Sequence, residues 1–174
     1  MSGKIELNTL KNANIYINGN CLLGRADEIK LPEIKLKMVE HKALGMVGTI
    51  KLPGGLEALE GEIKWNSFYE DVWEQVLDPY TAVQLQVRGN LETHGGAGRI
   101  AQKTYTVMLS VQFDSVALGT FKQNDNAEFP SKFYASYIKQ QVAGQDVIEF
   151  DVMANIWKKK GKDMLEQYRN NVGA

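Results

Sequence analysis

Residues 82–114 read AVQLQVRGNLETHGGAGRIAQKTYTVMLSVQFD, and their alternation decides the fold. Val83, Leu85, Val87 and Leu91 fall on one face of an extended chain, and Gln84, Gln86, Arg88, Asn90 and Glu92 on the other. From Lys103 onward, Tyr105, Val107, Leu109, Val111 and Phe113 share a face. Thr104, Thr106, Ser110, Gln112 and Asp114 oppose them, with Met108 the exception. Side chains alternate between the two faces of a strand, so a period of two over this length marks a half-buried β-strand. THGGAGR (Thr93–Arg99) separates the two runs and predicts a long antiparallel hairpin with a flexible tip.

Shorter runs extend the pattern. Ile34, Leu36 and Met38 alternate with Lys35 and Lys37, and LEGEIKW (Leu59–Trp65) alternates imperfectly. NIYING (Asn14–Gly19) followed by Cys21–Leu23 predicts a tight hairpin. VIEFDVMANIW sets Ile148, Phe150, Val152 and Ile156 against Glu149, Asp151 and Asn155. KFYASYIKQQ (Lys132–Gln141) is rich in aromatics, which favour strand. Two segments predict helix. SFYEDVWEQVLDP carries Ser67 and Glu70 at capping-box spacing and stops at Asp78-Pro79, with Val72, Trp73, Val76 and Leu77 as its stripe. DMLEQYRNNVG repeats the device with Asp163 and Glu166, stops at Gly173, and has a narrower stripe of Met164, Leu165 and Tyr168. The expected fold is one mainly β domain over residues 1–174. It has two packed antiparallel sheets or a barrel, one central helix and a short C-terminal helix.

The bulk numbers restrict function. A chain of 174 residues suits one domain with a real core. A net charge of −1 argues against a dedicated binder of nucleic-acid backbones, anionic membranes or acidic substrates. Cys21 is the only cysteine, so no internal disulfide and no thiolate metal site of useful size can form. No run approaches the roughly 20 apolar residues of a membrane helix, and MSGKIELNTLKNANIY lacks a signal-peptide core. The expectation is a product made in the cytoplasm, with no membrane insertion.

Catalytic chemistry finds no support. His41 and His94, the only histidines, have no partners at ligand or general-base spacing and are expected to be surface residues, His94 in a loop tip. HGGAG (His94–Gly98) and LPGGL (Leu52–Leu56) lack the strand, helix and Lys-Ser/Thr of a phosphate loop. WKKKGK (Trp157–Lys162) reads as a solvated turn rather than a phosphate contact. Glu60 with Glu62, and Glu149 with Asp151, are spaced by two and mark the wet side of strands. No nucleophile, base and oxyanion site come together. No enzyme, cofactor or metal site is expected.

One stretch does not suit a surface loop. ALGMVGTIKLPGGL (Ala43–Leu56) is punctuated by glycine, yet Leu44, Met46, Val47, Ile50 and Leu52 keep it apolar, with Lys51 its one charge. Glycine supplies turns, and exposed apolar patches mark contacts with another chain. The stretch predicts a long loop at about 43–56 that is buried by a partner.

LEQYRNNVG (Leu165–Gly173), closing after ANIWKKKGKDM, resembles the C-terminus of the major tail tube protein of contractile-tailed phages and R-type tailocins. Residues 10–46, LKNANIYINGNCLLGRADEIKLPEIKLKMVEHKALGM, resemble that family's opening. They share a Leu-Lys-x-x-Asn lead, a strand ending in Asn-Gly, a short strand, and a Leu-Pro-x-(Ile/Leu) step into a strand ending in Gly-Met. LPGGLEALEGEIKW (Leu52–Trp65) fits the pattern before the return strand. The resemblance implies the tube fold shared with type VI secretion tubes and siphophage tail tubes. Protomers would form hexameric rings, each giving two long hairpins to an inner barrel. Rings would stack head-to-tail, each apolar loop reaching into the next, as a conduit for DNA when the sheath contracts. The implied partners are other copies of the chain, the tail sheath protein, the baseplate or tube initiator and the tape measure protein, with DNA passing unbound. The implied place is the virion tail, after synthesis and assembly in the bacterial cytoplasm.

Three sets of residues acquire expected roles. Leu44, Gly45, Met46, Val47, Ile50, Leu52, Gly54 and Gly55 would make the inter-ring contact. Met164, Leu165, Tyr168 and Arg169 would make a C-terminal interface. Glu60, Glu62, Gln84, Gln86, Glu92, Thr104, Thr106, Ser110, Gln112 and Asp114 would line the lumen, with Lys35, Lys37, Lys64 and Arg88 cutting against a neutral wall. The alternative is a ligand- or polysaccharide-binding β-sandwich module. It would place aromatics in exposed loops, whereas Trp65, Trp73 and Trp157 lie in strand or helix patterns.

Overall fold

The long hairpin forms, and the rest of the sheet is built on it. The computed structural model describes residues 5–173. In chain order the elements are β1 (Leu7–Ile17), β2 (Asn20–Cys21), β3 (Ala26–Lys30), β4 (Leu36–His41), β5 (Ile50–Leu56), β6 (Leu59–Trp65), α1 (Glu70–Val76), β7 (Val83–Gly95), β8 (Gly98–Val116), β9 (Phe129–Val142), β10 (Gln145–Asp151), β11 (Ile156–Lys159), β12 (Lys162–Asp163) and α2 (Glu166–Val172). The expected mainly β, antiparallel architecture with two helices is observed. Ten strands join one sheet in the order β12-β11-β10-β9-β8-β7-β1-β2, with β6 and β3 branching from β9. The branch lies along the edge of β9 away from β8. There its first half, Phe129–Ala135, pairs β6, and its second half, Tyr137–Val142, pairs β10. β4 and β5 pair only with each other.

The sheet rolls around one core. Ile15 and Ile17 of β1, Ile63 and Trp65 of β6, Val83, Leu85 and Val87 of β7, Val107 to Phe113 at alternate positions of β8, and Phe133 and Ile138 of β9 are buried together. Alternate apolar residues on one face of each strand produce this, as the period of two requires. Val72, Trp73 and Val76 of α1 bury against the same core. Ser131 is the buried polar residue, and its Oγ accepts the Trp65 indole N–H at 3.1 Å.

Several details depart from expectation. The hairpin tip is Gly96-Ala97 rather than all of Thr93–Arg99, so His94 lies on β7. Glu92 accepts from Arg99 at 2.9 Å and from Gln102, and lies 3.2 Å from His94, which ties the strands together to the tip. VIEFDVMANIW is not one strand. It bends between Asp151 and Ile156, where Asp151 Oδ1 accepts the Ala154 N–H and Asn155 takes a positive φ, so Val152 and Asn155 are turn residues. Neither helix is capped as its spacing suggests. The cap positions are Tyr69 and Leu165, and neither side chain bonds the helix. Asp163 is instead held by Arg169, and Leu77 leaves the α1 stripe as an exposed C-cap. Gly173 ends α2 in the left-handed conformation, as the stop signal predicts.

Ala43–Leu56 is also not all loop. Ile50–Leu56 is strand β5, with Val39 opposite Leu52, Glu40 opposite Lys51 and His41 opposite Ile50. The loop proper is residues 42–49. The glycines that argued for a loop serve the pairing. A Cβ at Gly54 would lie 2.7 Å from Val39 Cγ2, and Gly55 has φ +136°.

Candidate assembly surfaces

The first surface is the side of the sheet facing away from the core. Residues directly opposite each other on paired strands share a face. Gln84 opposes Ser110, Gln86 opposes Met108 and Tyr16, Arg88 opposes Thr106 and Asn14, and Asn90 opposes Thr104. Across β8 and β9, Gln112 opposes Tyr134 and Thr106 opposes Gln141; across β9 and β6, Glu60 opposes Tyr134 and Glu62 opposes Lys132. Nine of the ten residues expected to line a lumen therefore lie on one continuous face running over β6, β9, β8 and β7. Asp114 is the tenth. A register shift between Phe113 and Ser115 takes it out of the ladder, so alternation does not assign its face. Met108, the exception to the alternation, is half-buried on this polar face.

The charges on this face are largely paired within it. Lys64 meets Glu28 at 2.8 Å, Lys139 meets Asp146 at 2.9 Å, Lys158 meets Glu149 at 3.2 Å and Arg99 meets Glu92 at 2.9 Å. Arg99 holds the Glu92 carboxyl below its ordinary value, against some desolvation. Burial pushes the Tyr137 hydroxyl up to about 12, helped by its hydrogen bond to Glu149. Arg88 lies over the Tyr16 ring. Of the basic residues that cut against a neutral wall, Lys64 is thus neutralised locally. Lys35 lies outside this face and pairs with Glu57, and Lys37 is on β4. Sequence reasoning missed these pairings; the placement of Glu92 and Arg99 on either side of the glycine turn was the available signal.

The second surface is the β4–β5 hairpin. It projects from the fork of the sheet with both faces exposed, so Met38, Val39, Leu44, Met46, Val47, Ile50 and Leu52 all meet solvent. Its base meets the third surface. A cleft of about 640 Å³ is lined by Leu36, Gly54, Gly55 and Leu56 of the hairpin, by Phe150 and Trp157 of β10 and β11, and by Leu165 and Tyr168. The structure thus brings together part of the expected inter-ring set and part of the expected C-terminal set. It leaves Leu44, Gly45, Met46 and Val47 far out at the tip loop. α2 contains no buried residue, and Met164 and Tyr168 are more than half exposed. Arg169 anchors it, pairing with Asp163 at 2.5 Å and donating to the Asn155 carbonyl at 2.8 Å.

An apolar projection and a polar sheet face on one chain suit a building block that meets other chains. Residues 7–173 match the family model described as phage tail tube protein FII. The chain belongs to this tail tube family. The family is structural and not enzymatic, so the chain is a phage tail tube protein. The tail tube protein of Escherichia phage P2 is 27% identical over 168 residues, covering 94% of this chain and 96% of the relative. Two cryo-EM structures share the fold at 14% identity, each covering 75% of this chain. One is the sheath/tube terminator of an extracellular contractile injection system, PVC, with TM-score 0.52 and 93% of that chain covered. The other is from the sheath–tube complex of that system, with TM-score 0.51 and 88% covered. Trp65 and Trp73 of this tail tube chain are buried and Trp157 is half-buried, so none is a loop aromatic of a ligand-binding module.

Proposed function

We propose that this chain builds the inner tube of a contractile tail as hexameric rings stacked head-to-tail, and that DNA passes through the tube when the sheath contracts. The observation that carries the reading is the continuous polar face over β6, β9, β8 and β7, backed by the core. A water-filled lumen needs such a wall. Neutral amides and hydroxyls with mostly paired charges let a polyanion slide without the counterion release that makes binding tight. Head-to-tail contacts close into a ring in one direction and stay open along an axis in the other. The exposed hairpin suits the second kind of contact, with Leu44, Met46, Val47, Ile50 and Leu52 as anchors. Met164, Leu165, Tyr168 and Arg169 serve a subunit interface. The sheath, the baseplate or tube initiator and the tape measure protein complete the set of partners, with assembly in the bacterial cytoplasm and residence in the virion tail.

The test is cryo-electron microscopy of particles assembled from the purified chain. The expected result is stacked six-fold rings with Gln84, Gln86, Thr106 and Ser110 on the inner wall. A chain that stays monomeric, or a tube walled by another face, would overturn the reading.

A further inference from the structure

A projecting hairpin that stacks rings needs an acceptor on the next copy, and head-to-tail geometry requires that acceptor to be a different surface of the same chain. We propose that it is the acidic, aromatic surface around α1, formed by residues 66–81 and 117–128. This inference rests on the stacked-ring reading and names the partner surface for the hairpin.

Position comes first. The hairpin leaves the body beside Leu59, whereas α1 follows Trp65 at the other end of β6, roughly 20 Å away for a strand of this length. The two surfaces therefore lie at opposite ends of the body, as stacking along one axis needs. Apolar character comes second. Phe68 and Phe121 both pack on Phe129, with centroids 6.4 and 6.2 Å from it, yet both remain more than half exposed. Leu77, Tyr80 and Leu118 are likewise exposed nearby in sequence. Asn126 donates to the Asn66 carbonyl, which joins the two segments into one surface. Neither the polar face nor the C-terminal cleft uses these residues.

Charge decides the pairing. The hairpin, residues 36–56, carries Lys37, Lys42 and Lys51 against Glu40 alone, a formal +2. Residues 66–81 carry Glu70, Asp71, Glu74 and Asp78 with no basic residue, and residues 117–128 carry Asp125 and Glu128 against Lys122, a formal −5 together; Arg25, paired with Asp71 at 2.6 Å, leaves the surface at −4. Complementary potentials steer association and fix register. A basic apolar hairpin and an acidic aromatic acceptor on opposite ends of one near-neutral chain form such a pair.

The test uses purified full-length chain without sheath. One variant carries Glu70→Lys, Glu74→Lys and Asp125→Lys, which turns the acceptor segments from −5 to +1, and the other carries Lys42→Glu and Lys51→Glu, which turns the hairpin from +2 to −2; none of the five forms a close ion pair among the described residues, Lys42 lying 4.0 Å from Glu40. Each variant should melt as a monomer like the wild type yet lose long tubes in negative stain. Mixing the two should restore tubes, because each hairpin then faces an acceptor of opposite sign. The chain carrying all five changes should also stack. Wild-type tubes alongside variants that assemble normally would overturn the acceptor assignment alone, and would fit an α1 surface that contacts the sheath. Loss of tubes in both variants without rescue on mixing would overturn it too. A wild-type chain that forms no rings would overturn the ring reading itself.

Discussion

At the scale of single residues, the core tolerates little. Ser131 is fully buried between β6 and β8, and its hydroxyl accepts the Trp65 indole hydrogen. Ser131→Ala leaves that N–H without a partner in a site that water does not reach. The expected loss is about 1–3 kcal/mol of stability, the cost of an orphaned buried donor, seen as a lower urea midpoint with an unchanged slope. Gly61 is constrained sterically rather than by hydrogen bonding. A Cβ there would sit 2.6 Å from Phe133 Cε2 and 2.7 Å from the Lys30 carbonyl oxygen. The flexible end of neither neighbour can yield, because one is a packed ring and the other backbone. Gly61→Ala should therefore cost about 1–3 kcal/mol by overpacking, measured in the same unfolding experiment. Neither feature was legible in the sequence. Ser131 follows the alternation of β9, but nothing local pairs it with a tryptophan 66 residues away.

At the scale of elements, legibility follows the range of the forces involved. The long strands were readable because alternation is a local signal with a local cause. The extent of β5 was not, because Pro53-Gly54-Gly55 reads as a loop until β4 is laid beside it and Val39 fills the space a side chain would need. The cap positions were misread for a similar reason: Asp163 pairs with Arg169 and accepts the N–H of Leu165, which itself takes the cap position. That pair predicts a pH dependence. Arg169 holds the Asp163 carboxyl below its ordinary value, so the pairing contributes fully above the unfolded aspartate pKa and is lost as pH falls through the lower folded value. Amides of α2 should stay protected at neutral pH and loosen only below about pH 4. Asp163→Asn should loosen them already at pH 7 by hydrogen exchange, while exchange in β7 and β8 stays unchanged. Equal protection in both proteins would show that another contact docks α2. The hairpin gives the opposite case, an element whose outer apolar side chains meet solvent in the monomer. Met46 and Leu52 are 39% and 47% exposed there. Met46→Asp with Leu52→Asp should leave the monomer's circular dichroism and melting unchanged and abolish tubes by electron microscopy. A variant that unfolds would place these side chains in a monomer core, and one that still polymerises would remove the hairpin from stacking.

At the scale of the whole molecule, the charge distribution matters more than the total. The chain is nearly neutral, but its charges are sorted: a basic hairpin, an acidic α1 end, and a sheet face where cations and carboxylates mostly neutralise each other in place. If that face lines a conduit, its neutrality is a functional property and can be removed without touching the core. Gln84, Gln86 and Gln112 alternate with buried residues on β7 and β8, and point away from them. Replacing all three by lysine adds three cations per copy to the wall and leaves the apolar side of each strand intact. The monomer should melt as before and tubes should still form, because neither stacking surface is altered. DNA should then be retained. Each phosphate neutralised by the wall contributes a slope of about −0.7 to −0.9 in log affinity against log salt, for single and double strands respectively. Isolated variant tubes should hold DNA at low ionic strength and release it steeply as salt rises, whereas wild-type tubes should show little retention at either extreme. Particles carrying the variant should eject DNA more slowly in low salt and recover in high salt. Variant tubes that handle DNA like the wild type at every ionic strength would mean that the polar face does not meet the passing strand.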